Sequence, residues 1–360
     1  MPDDDKTGAI SARKSEHLEL CETDEVAFRG KTTLLEEVEL IHDALPEMAA
    51  GDVDLGTTFC GKELRAPLFI AAMTGGTQQA EAINRDLALM AEEHGIGFGF
   101  GSQRPLLAEG IEAGYHIRDV APTALVLGNI GAVQAHRTPS AELARMVDRC
   151  GADALVVHLN PAMEAIQHQG DRDFRGGLET LARLVAELDV PVVVKETGCG
   201  LSRSVGERVA AIGVEHVDTS GAGGTSWVGV ETLRAQDDQA ALGRCFWDWG
   251  IPTAASVAQL SGLGLSICAT GGVDSGLSVA RAIALGATCA GMARPLLQAL
   301  AQGGIDALDA RLRQVIAELR LAYLLSGART SDELRERPLV LGARLHRWVP
   351  SDSPLFQRLP

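Results

Sequence analysis

The sequence predicts an α/β fold, a (β/α)8 barrel with terminal decorations, on three observations. From residue 67 onward, short β-prone apolar runs alternate with longer amphipathic stretches, the pattern of βα units around a parallel sheet. The runs number eight. Nearly every one leads directly into a polar, glycine-bearing motif, as if all the loops met at one rim, the face where such barrels carry their chemistry. A doubly wound open sheet is the runner-up.

Taken in order, Leu68 to Ala72 runs into "MTGG", Gly95 to Phe98 into "GSQR", Ala124 to Leu127 into "GNIGA" and Ala154 to His158 into "HLNPAME". Pro191 to Lys195 is followed by "KETGCG", His216 to Asp218 by "DTSGAGGTSW", Ser266 to Ala269 by "ATGGVDSG" and Cys289 to Gly291 by "GMARPLL". Residues 1–60, with "SARKSEHLELC" and a helical "LLEEVELIHDAL", form an arm expected to fold over the barrel. Residues 301–360 read as closing helices and a tail. With no internal repeat and no low-complexity linker, residues 1–360 are expected to form a single domain.

Composition narrows the function. The 48 acidic and 32 basic residues leave a formal charge of −16, which disfavours nucleic acid or an anionic membrane as a general partner. A small anionic substrate is still possible where a few basic side chains converge. Seven cysteines without a C-x-x-C pair suggest a reduced, cytoplasmic setting. No stretch approaches 18 apolar residues and the acidic start lacks an apolar leader core, so neither a membrane span nor a signal peptide is expected.

The clearest cofactor signal is "SICATGGVDSGLSVARAIALGATCAGMARPLL". One strand ends in Gly271 and Gly272, a helix opens near Ser278, and a second strand ends in Gly291, Met292 and Ala293. These are the seventh and eighth loops, where backbone N–H groups and a helix N-terminus cradle phosphate. A side chain there would hold the phosphate away. Ser220, Thr225 and Ser226 add hydroxyls, and Met73, Thr74 and Gly75 offer backbone to a flat ring. With Ser102, Asn129 and Lys195 they describe a rim for flavin mononucleotide (FMN), because no G-x-G-x-x-G opens the first βα unit. Lys195 can instead pair with Glu196 or Asp218; beside the flavin it would favour the reduced anion.

For the substrate, Arg13, Lys14, His17 and Arg104 form a basic cluster in an acidic chain, and charged N–H donors match diphosphate oxygens. The plain alternative is a solvated arm. Glu164 is a candidate for magnesium (Mg2+), which takes one or two carboxylates besides phosphate oxygens and water. Asp171 and Asp173 read as loop or cap residues, and His94, His116, His136, His168, His216 and His346 have no evident partner.

Together these residues resemble the type 2 isopentenyl-diphosphate isomerases, flavin-dependent (β/α)8 enzymes of isoprenoid biosynthesis. The resemblance runs in order through Arg13, Lys14, His17, "MTGG", "GSQR", Asn129, "HLN", Glu164, Lys195, "GGTSW", "WGIPT" and "ATGG". It implies that Met73, Thr74, Gly75, Ser102, Asn129, Lys195, Ser220, Thr225, Gly271, Gly272 and Ala293 bind FMN. It likewise implies that Arg13, Lys14, His17, Arg104, His158 and Asn160 hold the diphosphate, and that Glu164 holds Mg2+. Lys195, His158, Asn160 and residue 163 would stand at the chemistry, NAD(P)H would be the reductant, and the assembly would be a homo-oligomer, a tetramer or octamer. One departure stands out. The family reads Asn-x-x-Gln-Glu where this chain has "NPAME", so Met163 replaces an amide that would relay protons; a thioether has no proton to give. His168 and Gln169 likewise replace a usual Pro-Glu. The implied reaction is isomerisation of isopentenyl to dimethylallyl diphosphate; the alternative is another prenyl or terpenoid substrate on the same FMN barrel. A hydroxy-acid oxidase is disfavoured by the lack of a His-Gly-Gly-Arg element.

Overall fold

The computed structural model describes residues 16–21 and 23–359. Eight parallel strands close into a barrel: β1 Leu68–Ile70, β2 Gly97–Gly99, β3 Val126–Gly131, β4 Ala154–Leu159, β5 Val192–Glu196, β6 His216–Asp218, β7 Ser266–Ala269 and β8 Cys289–Met292. All eight expected runs are strands. The first is shorter than expected and the third is displaced toward its glycine motif.

Strand register sets the site. Gly131 on β3 pairs with His158 on β4, His158 with Lys195 on β5, and Lys195 with Asp218 on β6. Side chains in one row of a parallel barrel share a level, so these residues, distant in sequence, are neighbours at the C-terminal rim. Below them Phe69, Leu127, Val156, Val193, Cys268 and Cys289 fill the interior, as expected where a barrel is a packed core rather than a pore.

The hairpin Thr57–Phe59 and Lys62–Leu64 plugs the opposite end, with Phe59 edge-on to Phe69 at 6.2 Å and to His216 at 5.1 Å. Residues 34–45, read from sequence as helical, instead form a 3-10 turn at Leu35–Glu37 and a strand at Val38–Leu40. That strand pairs antiparallel with Leu339–Leu341, so a long-range ladder overrides local helical propensity. Residues 16–21 and 23–33 lie across the C-terminal rim: Ala27 bridges Thr225, and the Phe28 N–H donates to Gly224 O at 3.1 Å. The long closing helix Arg294–Leu325 is broken at Gly303 and Gly304. Among the described residues no helix is long and apolar enough to cross a membrane.

Candidate active site

A cavity of about 360 Å³ opens at the C-terminal rim and is lined from all eight strand ends. His17, Met73, Thr74, Ser102, Arg104, Asn129, His158, Asn160, Met163, Glu164, Lys195, Ser220, Thr225, Gly271, Gly272 and Ala293 all line it. Arg13 and Lys14 lie outside the described residues. Gly75 is not in the lining; a Cβ on it would press into the ring of Tyr115, so its bareness serves packing behind the rim.

The glycines of the sixth and seventh loops interlock. Gly272 has φ +71°, and a Cβ there would come within 2.8 Å of Gly223 C and Gly224 N, a contact only glycine avoids. The N–H groups of Gly223, Gly224, Gly271 and Gly272 have no partner among the described residues. Ser220, at φ 37°, holds a backbone conformation rare for a side-chain-bearing residue, and such conformations gather at functional sites. Its carbonyl accepts from Gly198 and Gly200 at 2.9 and 3.1 Å, tying the fifth loop to the sixth. On the eighth loop Arg294 also lines the cavity, and among the described residues its buried Nη1 has no hydrogen-bond partner, the Asp24 carboxylate lying 3.6 Å away. Donors without acceptors, packed so that no Cβ fits between them, suit the phosphate of FMN. Ser226, expected to contribute a hydroxyl, instead caps the helix Trp227–Arg234: its Oγ accepts from Gly229 N at 2.9 Å and donates to Trp247 O at 2.7 Å.

Lys195 faces the cavity and makes one of the two charge pairings its sequence context allowed, with Asp218; at Glu196 it meets the backbone carbonyl, not the carboxylate. Its Nζ donates to Glu196 O at 3.0 Å and lies 3.3 Å from Asp218 Oδ2. Glu196 turns away from the cavity; its carboxylate accepts from Thr197 N at 2.6 Å and from Cys199 N, which fixes the fifth loop. Burial pushes that carboxyl up to about 7 despite these bonds.

The β3–β4 wall is made of side chains. Gln103 shapes it from behind: its N–H donates to Asn129 O and its Oε1 accepts from Asn129 N, both at 2.8 Å. Asn129 in turn places Oδ1 2.7 Å from His158 Nδ1. Burial, with the Lys195 cation adding to it, depresses the His158 imidazole to about 4. Glu164 is buried, accepting from Asn160 Nδ2 at 3.0 Å and from Asp171 N at 2.7 Å. One carboxylate with lone pairs to spare is compatible with Mg2+ held mainly by phosphate and water, although no group of three or more metal-ligating His, Cys, Asp or Glu occurs among the described residues. Met163 lines this wall with Gln167 one turn on. Gln167 is buried, its backbone N–H bonded to Met163 O at 2.9 Å, and it contributes to the cavity lining.

At the rim, His17 Nε2 meets Glu231 Oε1 at 2.8 Å, and its ring stands edge-on to Trp227 at 5.4 Å. Arg104, half-buried in the cavity, has no carboxylate partner among the described residues. Gln134 and Gln167 went unnoticed in the sequence because no motif marks their side chains, and Trp227 and Arg294 were given no role although they lie within "GGTSW" and "GMARPLL". Most histidines without an evident partner find structural ones: His94 meets Asp309 at 2.9 Å, His116 Glu112 at 3.1 Å and His136 Thr180 at 2.9 Å. His346 packs on Phe356 and His216 on Phe59, while His168 is exposed.

The FMN-dependent dehydrogenase family model matches residues 8–173 and 159–341. An isopentenyl-diphosphate delta-isomerase of Thermococcus kodakarensis is 41% identical over 372 aligned positions, covering 99% of each chain. Its namesake in a Synechococcus species is 45% identical over 339 positions, covering 92% of this chain and 97% of its own. Among solved structures, a mandelate oxidase variant with (S)-mandelic acid superposes with a TM-score of 0.63 at 21% identity, covering 94% of this chain and 97% of its own. At that identity the likeness speaks for the barrel alone.

Proposed function

The chain belongs to the FMN-dependent dehydrogenase family and, within it, to the isopentenyl-diphosphate delta-isomerases, and from that premise we propose that it converts isopentenyl to dimethylallyl diphosphate for isoprenoid biosynthesis. The observation that carries the proposal is Arg104, a guanidinium in the cavity with no carboxylate partner among the described residues, in a chain of net charge −16. An unneutralised cation in a pocket calls for an anionic ligand, and a guanidinium fits diphosphate oxygens in pairs.

The reaction adds a proton to the terminal alkene carbon and removes one from the carbon next to the diphosphate-bearing carbon, with no net redox change. Bound FMN in its reduced form, with NAD(P)H as reductant, supplies the acid–base partner for that proton. The chain's own groups hold the participants. Gly271, Gly272, Ser220 and Thr225 take the flavin phosphate; Met73, Thr74, Ser102, Asn129 and Ala293 flank the ring, with Gly75 packed behind. Lys195, steadied by Asp218, sets a cation beside the flavin. Arg104, Arg13, Lys14, His17, His158 and Asn160 grip the diphosphate, with Mg2+ on Glu164. Exposed Leu242, Phe246 and Trp249 suit a homo-oligomer, and the setting we propose is cytoplasmic.

The test is incubation of anaerobically reduced FMN holoenzyme with isopentenyl diphosphate and Mg2+ in D₂O. Dimethylallyl diphosphate carrying deuterium is the expected product, and its formation should fall when EDTA is added. Turnover of a longer prenyl diphosphate, with none of isopentenyl diphosphate, would refute the proposal.

A further inference from the structure

His158 stands between two amides whose orientations are fixed by their other partners. On one side Asn129 donates Nδ2 to Phe100 O at 2.9 Å, so the atom 2.7 Å from His158 Nδ1 is its oxygen. An oxygen there calls for a proton on Nδ1. On the other side Gln134 donates Nε2 to Asp171 Oδ2 at 3.0 Å, while Arg137 lies 3.2 Å from the other Asp171 oxygen. Gln134 therefore turns its oxygen inward. A methyl group built on Gly131, the register partner of His158, would press on Gln134 Oε1 and lie 3.1 Å from His158 Nε2, so those two atoms border one gap. In the neutral ring Nε2 is a bare lone pair, and the gap it borders with Gln134 Oε1 is then lined by two acceptors. A proton on Nε2 would give that gap a donor, whereas burial and Lys195 favour the neutral ring.

We propose that entry of a diphosphate resolves this conflict: His158 takes one proton from solvent onto Nε2 as substrate binds and returns it when product leaves, with Gln134 as its positioning residue. The inference rests on the diphosphate reading above. The charges facing His158 are Lys195 on β5, itself paired with Asp218 on β6, Arg104 from the second loop, His17 from the arm, and Glu164 with Asp171 from the fourth loop. Lys195 and Arg104 oppose protonation. Each opposite charge brought within ~4–6 Å raises a pKa by roughly 1–3 units, and a diphosphate carries more than one. In the bound state Nδ1–H donates to Asn129, Nε2–H donates toward Gln134 and the ligand, and the buried acceptors are satisfied.

The experiment is titration calorimetry of isopentenyl diphosphate into oxidised FMN holoenzyme at pH 7.5, repeated in buffers of different ionisation enthalpy. The expected result is uptake of about one proton per site, absent in His158→Gln. Gln134→Leu should take up fewer protons and bind about tenfold more weakly, the cost of one charge-assisted contact. Gln134→Glu, whose carboxylate protonates His158 beforehand, should bind with uptake near zero. Binding by the parent without proton uptake, or uptake that persists in His158→Gln, would overturn the inference. If neither isopentenyl diphosphate nor inorganic pyrophosphate binds, the diphosphate reading itself fails and takes this inference with it.

Discussion

At the β6–β8 end of the cavity the backbone N–H groups of Gly223, Gly224, Gly271 and Gly272 have no partner among the described residues, whereas the β3–β4 wall is lined by residues with polar side chains: Asn129, Gln134, His158, Asn160, Glu164 and Gln167. The first region is dominated by main chain, and its interlocked glycines leave no room for a side chain to be added. The second can exchange single members, as Met163 shows, because each is held by neighbours it does not itself create. Asn160 and Asp171 still hold Glu164, and Asn129 still meets His158, with a thioether at position 163. On the proposed reading, phosphate recognition would rest mainly on main-chain geometry and the proton chemistry on replaceable side chains.

The comparison breaks most visibly at Gly272. Gly272→Ala adds a Cβ 2.8 Å from Gly223 C and Gly224 N at φ +71°, with backbone strain of about 1–3 kcal/mol in addition to the clash. The purified variant is expected to retain its fold by circular dichroism yet emerge almost flavin-free, as measured by flavin absorbance per protein. A normally yellow variant would mean that the loops are not the phosphate cradle.

A smaller effect, of opposite sign, is expected on the other wall. Met163→Gln puts an amide back beside Gln167 and should raise kcat for isopentenyl diphosphate, with the ~10² typical of one acid–base group as the ceiling. Flavin content should not change. A variant slower than its parent would indicate that the methionine lines a pocket for a different prenyl substrate, since a buried amide without a partner costs about 1–3 kcal/mol.

The smallest effect sharpens the contrast. Thr225→Val removes a hydroxyl from the backbone-dominated end and should weaken FMN by no more than the ~0.5–1.5 kcal/mol of a single hydrogen bond. Fluorescence titration of the apoprotein with FMN measures it, and a loss as large as that at Gly272 would place the phosphate on side chains after all.

The eight strands and their order were legible in the sequence because each apolar run and the glycine motif after it are local signals. The glycine turn after the seventh strand was legible for the same reason: Gly271 and Gly272 sit at φ +99° and +71°, a backbone conformation that favours glycine at the position itself. Which neighbours completed the site was not. The helical reading of residues 34–45 failed because the deciding partner, Leu339–Leu341, lies some 300 residues away in the chain. Ser226 looked like a phosphate donor until Trp247 and Gly229 took both of its hydrogen bonds. Gln134 carries no motif, and its importance arises from Asp171 on one side and His158 near the other. Composition and periodicity therefore determined the barrel, its rim and its acidic character. The tertiary structure decided which polar atoms remain unpaired there, because strand register and loop closure, not chain neighbourhood, choose each hydrogen-bond partner.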